Sequence, residues 1–171
     1  MFKHTGIVRR IDDIGRIVIP KEVRRRFRIN DGDPIEIGED GEFIALRKYS
    51  VVELGGDMTQ RLLHCFTRTT SKPVILCSTS HVLHSLRVTI NAPEYLTTEL
   101  CEALRTEDKS CLGYEITADS GIKVAALEKI YVGNSFEGVL IIPEADSNKE
   151  VTDADKECLK LCANAITAFL E

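Results

Sequence analysis

The chain has 171 residues, 43% hydrophobic and 29% charged, with a formal net charge of -5. That suits one ordinary domain or two small ones and excludes a disordered chain. No run approaches eighteen consecutive apolar residues, and Phe2-Lys3-His4 leads into a polar segment, so a cytoplasmic protein without a membrane span or signal peptide is expected.

In chain order, residues 6–12 and 16–19 read as strands around the turn Asp12-Asp13-Ile14-Gly15, with Gly15 supplying a positive φ. Ile7, Val8, Ile11, Ile17, Val18 and Ile19 occupy both strand parities, so both faces are expected to be covered. Pro20 suits the first position of a helix over residues 21–28, which Asn30-Asp31-Gly32 stops. A second hairpin follows, with strands at 34–37 and 43–47 around a turn at 39–42. This ββαββ order fits in under fifty residues, too few for a comfortable core without disulfide or metal, so an obligate dimer sharing one core is expected.

Residues 50–56 read as a boundary, dividing the chain into domains 1–50 and 51–171. Beyond it the spacing predicts a helix over 57–68, with Met58, Leu62, Cys65 and Phe66 on one side, and strands at 73–77 and 82–88. A helix over 92–104 and strands at 122–131 and 136–142 come next. The closing helix, 152–170, opens with Thr152 and Asp155 at capping-box spacing, and its apolar stripe includes Cys158, Leu159, Cys162 and Ile166. The second domain is therefore expected to be α/β, with helices flanking an antiparallel sheet.

Charge separates the same two regions. Residues 1–30 carry nine Lys and Arg against three Asp and Glu, whereas residues 51–171 carry eleven against eighteen. At 100° per residue, Lys21, Arg24, Arg25 and Arg28 cluster on one helix side, while Val23 and Phe27 point toward the core. Arg26 falls beside Glu22 at i,i+4 spacing, which suits a local ion pair. Arg9, Arg10 and Arg16 extend the patch, and its doubling in a dimer suits DNA phosphates and guanine edges. The competing reading is a solvated face paired with Asp12, Asp13 and Glu22.

The stretch TGIVRRIDDIGRIVIPKEVRRRFRINDGDPIEI, followed by LRKY, resembles the DNA-binding domain of AbrB-type swapped-hairpin transcription regulators. Length and element order resemble members of that family that act in sporulation and carry a C-terminal GAF-like domain. The resemblance implies an α+β protein: an N-terminal dimeric swapped-hairpin β-barrel plus a GAF-like α/β domain serving as sensor or oligomerisation module. It implies a DNA-binding transcription regulator of sporulation or growth-transition genes that assembles as a homodimer and then a homotetramer. By the same resemblance Arg9, Arg16, Arg24 and Arg25 contact DNA; Arg10 and Lys21 are added from the helix wheel and the patch. No cofactor, metal or catalytic residue is expected, although an unknown small molecule is a possible ligand of the second domain. Arg61, Arg68 and Arg87 suit an anionic ligand there, against the plainer reading of solvated surface arginines.

Three other readings compete. His64, His81, His84, Cys65 and the Cys158/Cys162 pair invite a zinc site, but the paired cysteines lie in an apolar stripe, where a thiol packs as a small hydrophobe. A thiol enzyme resembling GAF-type methionine sulfoxide reductases would draw on Cys77, Cys101 and Cys111, with Cys111 in the polar 109–111 loop expected to be the most exposed. The six cysteines contain no CxxC and are expected to be free thiols. An antitoxin is the third reading, since the same small fold occurs in toxin–antitoxin pairs. A periodic, foldable segment after residue 50 in place of a short disordered tail argues against it.

Overall fold

Gly15, at φ +82°, closes the turn between the first two apolar segments, with Gly15 N donating to Asp12 O at 3.1 Å and Asp12 N to Arg16 O at 3.1 Å. In the computed structural model, which describes residues 6–90, 93–106, 110–144 and 150–171, neither segment belongs to a sheet. The expected ββαββ order is therefore corrected to αββ within one chain. A strand needs a neighbour for its backbone groups, and the backbone bonds that join these two, Asp12 N to Arg16 O and Gly15 N to Asp12 O, lie at the turn. Their side chains are open to water: Val8 is 82% exposed, Val18 73% and Ile11 65%, so the expected covering of both faces is not met within a single copy.

Helix α1, Lys21–Arg26, is two residues shorter than expected. Pro20 is its N-cap (φ -59°, ψ 149°) rather than its first helical residue, and Pro20 O accepts from Arg24 N at 2.9 Å. At the other end Arg28 adopts φ +53°, with Arg28 N donating to Arg25 O at 3.2 Å and Ile29 N to Arg24 O at 2.8 Å. Those two bonds form a Schellman closure, with arginine at a position usually given to glycine, and they stop the helix before Asn30 is reached. Phe27, expected in a core, is 47% exposed.

Strands β1, Ile35–Asp40, and β2, Phe43–Lys48, form an antiparallel hairpin in register from Ile35↔Lys48 to Asp40↔Phe43. The intervening loop is Gly41-Glu42, and the φ of +60° at Gly41 matches what a two-residue hairpin asks of its first central residue. Both strands run further than expected, because the short turn lets pairing continue through Asp40.

By its contacts the chain divides into two units, Met1–Tyr49 and Ser50–Glu171. Ser50 caps the short helix α2, Val51–Leu54, and α3, Gly56–Thr70, follows directly. Four antiparallel strands form the sheet of the second unit in the order β4-β3-β6-β5: β3 Val74–Ser78, β4 Val82–Leu86, β5 Val124–Val132 and β6 Ser135–Pro143. Helix α4 spans Thr98–Arg105 and α5 Asp153–Leu170.

The central strands β3 and β6 are apolar on both faces, as a sheet covered on both sides requires. Val74, Leu76, Leu140 and Ile142 pack with Leu63, Phe66, Leu159 and Ile166 of α3 and α5. The alternate residues Ile75, Cys77, Val139 and Ile141 pack with Leu100 and Leu104 of α4 and with Ile116. Helix α4 starts six residues later than expected, and Ala92 lies outside the described residues. Its approach is spent on extended pairing, with bridges His81↔Tyr95 and Leu96↔Thr117, and Thr97 then caps it by accepting from Leu100 N at 3.2 Å. The capping box of α5 forms: Asp155 N donates to Thr152 Oγ1 at 3.2 Å and Thr152 N to Asp155 Oδ2 at 2.9 Å. Both units mix helices with antiparallel sheet, so the chain is α+β.

Candidate nucleic-acid interface

The six cationic positions singled out from the sequence all lie in the first unit, and the structure sorts them by partner. Arg9 and Arg10 are exposed on the segment before the turn, with Arg9 Nη1 donating to Val8 O at 2.9 Å. Lys21 and Arg25 are exposed on α1, one turn apart. Among the described residues no carboxylate pairs with these four. Nothing local neutralises them, so their fields reach into solvent.

Arg16 and Arg24 are different. Arg16 Nε donates to Asp12 Oδ2 at 2.7 Å, and Asp12 Oδ1 accepts from Arg16 N at 2.7 Å. The Arg16 side chain beside it, then the bonds from the Arg16 and Ile14 amides, hold the Asp12 carboxyl below the usual carboxylate range despite a small opposing desolvation. Arg24 is half-buried, its Nη1 bonded to the exposed carboxylate of Asp31. Its Nε is buried without an acceptor among the described residues. The competing reading of the patch is thus met at one place, Asp12, and no ion pair joins Arg26 to Glu22 among the described residues. Arg26 lies over the Phe27 ring, 5.8 Å from its centroid.

The 28–34 connection that follows α1 is pinned by Asp33. Its Oδ2 accepts from Asn30 N at 2.7 Å, Asn30 Nδ2 at 3.2 Å and Lys48 Nζ at 2.9 Å, the Lys48 and Asp33 side chains being 12% and 19% exposed. Burial alone pushes the Asp33 carboxyl up, but the bonds from Asn30 and Lys48 outweigh it and the net displacement is downward. From the sequence Asp31 reads as part of a helix stop, and neither it nor Asp33 reads as a partner of the basic patch. The signal was there in Asn30-Asp31-Gly32-Asp33, an acidic turn directly after a basic helix.

Cys111, expected to be the most exposed thiol, is 4% exposed and burial pushes its thiol up; Cys65 is the exposed one. Cys77 is fully buried with its thiol pushed far up, first by burial and then by neighbouring Cys101, and Cys162 is pushed up to about 11, mainly by burial. None of the six cysteines is joined in a disulfide. Among the described residues no group of three or more His, Cys, Asp or Glu is placed to hold a metal ion. His81 is engaged with its own turn, its Nδ1 3.0 Å from Ser78 Oγ and 3.2 Å from Ser80 Oγ. No helix among the described residues is long and apolar enough to cross a membrane. In the second unit a cleft of about 970 Å³ runs along β5, with Lys72, Lys129, Glu144 and Lys156 among its lining.

Residues 8–53 match the family described as antidote-toxin recognition MazE, bacterial antitoxin. The chain is 49% identical over 77 residues to stage V sporulation protein T of Bacillus subtilis, which covers 44% of this chain and 43% of the relative. It is 53% identical over 47 residues to the transition state regulatory protein AbrB of the same organism, covering 28% of this chain and 49% of the relative. The putative transition state regulator Abh, also from Bacillus subtilis, is 49% identical over 47 residues, covering 28% of this chain and 51% of the relative. The matched stretch spans about half the length of each of these relatives.

Proposed function

We propose, from the premise that the first unit is of the MazE/AbrB type, that this protein is a DNA-binding transcription regulator. The observation that carries the reading is the set of exposed cations at Arg9, Arg10, Lys21 and Arg25, left without carboxylate partners among the described residues in a chain of net charge -5. Together with Arg16 and Arg24 they supply phosphate contacts that set register and arginine forks that read guanine edges. The open apolar side chains between Ile7 and Val18 support a dimer in which two copies interleave these segments and bury them jointly. Pairing doubles the cationic patch. Exposed Leu161 and Phe169 on α5 support further assembly to a homotetramer through the second unit. That unit serves as a GAF-like regulatory module, and the cleft along β5 is large enough for a small molecule. The names of the matched relatives favour sporulation or growth-transition genes as targets and a cytoplasmic location. The antitoxin in the family description is set aside for the whole chain, because a folded unit of two apolar clusters follows residue 50.

The test is a binding titration of the full chain on a mixed-sequence duplex. If about six phosphates are neutralised per dimer, affinity falls roughly a thousandfold between 50 and 200 mM salt. Arg25→Ala, at a side chain with no ion-pair partner among the described residues, reduces that slope and leaves the melting temperature in place. Binding that is absent, or indifferent to salt, overturns the reading.

A further inference from the structure

Of the six cations, Arg16 and Arg24 are held and the other four are not, and the holders are carboxylates of the same unit. A carboxylate beside a guanidinium presents the same planar pair of anionic oxygens that a phosphate presents. We infer that Asp31 and Asp12 are built-in competitors of the nucleic acid, occupying Arg24 and Arg16 until a well-placed acceptor on DNA displaces them, and so suppressing attachment to unselected sequence. The inference rests on the DNA-binding reading above.

The geometry distinguishes Asp31 from an ordinary surface acid. Its side chain is 95% exposed and, among the described residues, bonds Arg24 alone, so it contributes little to the fold besides holding Arg24. It satisfies Nη1 alone and leaves Nε buried without an acceptor, so the pairing is incomplete. An acceptor that spans Nη1 and Nη2 at the open end of the fork gains a bond that the single Asp31 bond to Nη1 does not make, whereas a poorly placed one gains nothing over the carboxylate. Exchange therefore rewards register, and mere proximity to the duplex goes unrewarded; specificity arises from what is withheld as much as from what is offered. Asp12 acts in the same sense on Arg16 but also accepts backbone bonds from Ile14 and Arg16 that shape the turn, which makes Asp31 the cleaner position to perturb.

The experiment compares equal changes of charge. Asp31→Asn and Asp31→Ser are set beside Asp13→Asn in the whole 171-residue chain, each alone and with Arg24→Ala, on a mixed-sequence duplex at about 100 mM salt. Asp13 is exposed and has no ion pair among the described residues, so it reports the effect of one lost negative charge. Because an exposed pair is worth up to about 1 kcal/mol, both Asp31 variants are expected to bind up to about fivefold more tightly per protomer than Asp13→Asn. With Arg24→Ala present that excess disappears. Equal tightening by Asp31 and Asp13 variants, or an excess that survives Arg24→Ala, overturns the proposal while leaving DNA binding intact. Failure of the unmodified chain to bind at all overturns the DNA reading instead.

Discussion

Gly138 lies in β6 at a point where two neighbouring strands approach, paired with Ser78 of β3 on one side and Ile130 of β5 on the other. A Cβ built there falls 2.6 Å from the backbone oxygen of Cys77 and 3.0 Å from Val52 Cγ2. The second contact yields to a small rotation of a side chain. The first does not, because the oxygen belongs to the central strand β3, whose Val74, Ile75, Leu76 and Cys77 are all fully buried. Relief needs β3 and β6 to part by several tenths of an ångström across both apolar clusters, which puts Gly138→Ala near the upper end of overpacking costs, about 3 kcal/mol. For a chain of this size that corresponds to a fall of roughly 10 °C in the melting temperature of the second unit, read by thermal or urea unfolding. Gly38→Ala is the matched control: its Cβ meets nothing within 4 Å, so a change within about 0.5 kcal/mol is expected. Adding Val52→Ala should not rescue Gly138→Ala, since the limiting contact is backbone. A Gly138→Ala protein melting within about 2 °C of the parent, or one restored by Val52→Ala, would refute this account of how β6 is seated.

Asp33→Asn keeps an acceptor for the Asn30 amide but removes the charge facing Lys48, and is expected to cost about 2 kcal/mol in the first unit by urea unfolding. Asp33 is held below its ordinary value in the folded state, so its contribution is present above the unfolded carboxylate range and is lost as pH falls through the folded value; Asp33→Asn should flatten the acid limb of stability below about pH 4. Among the thiols, exposed Cys65 should be alkylated first under native conditions, and Cys77 only on unfolding. Labelling of Cys77 at the native rate, checked by peptide mass spectrometry, would show that the β3 core opens freely.

The elements that could be read from the sequence are those whose signals are local. The second hairpin announced itself through alternation and Gly41, and α5 through Thr152, Asp155 and a stripe of apolar residues, and both are found within a few residues of expectation. The start of α4 was misplaced because Tyr95 and Leu96 are spent bridging His81 and Thr117, partners far away in sequence that no local pattern reveals. Cys111 was misjudged for a related reason: its polar neighbours suggested a surface loop, whereas the residue is 4% exposed and belongs to the apolar cluster that includes Ile116 and Val124. At the candidate interface, residue type and helical spacing identified the cations but not which of them would be occupied. Occupancy is set by where the turn after α1 brings Asp31, and that depends on the Schellman closure at Arg28 and on the anchor at Asp33.

Six branched side chains, from Ile7 to Val18, stand open to water in a solitary copy. Such a chain is sticky and easily cut, so proteases, chaperones and its own kind compete for the same greasy ribbon. If the proposed pairing is what covers that ribbon, the quantity of this protein that persists would follow how fast newly made copies find one another, and dilution itself would become a way of removing it.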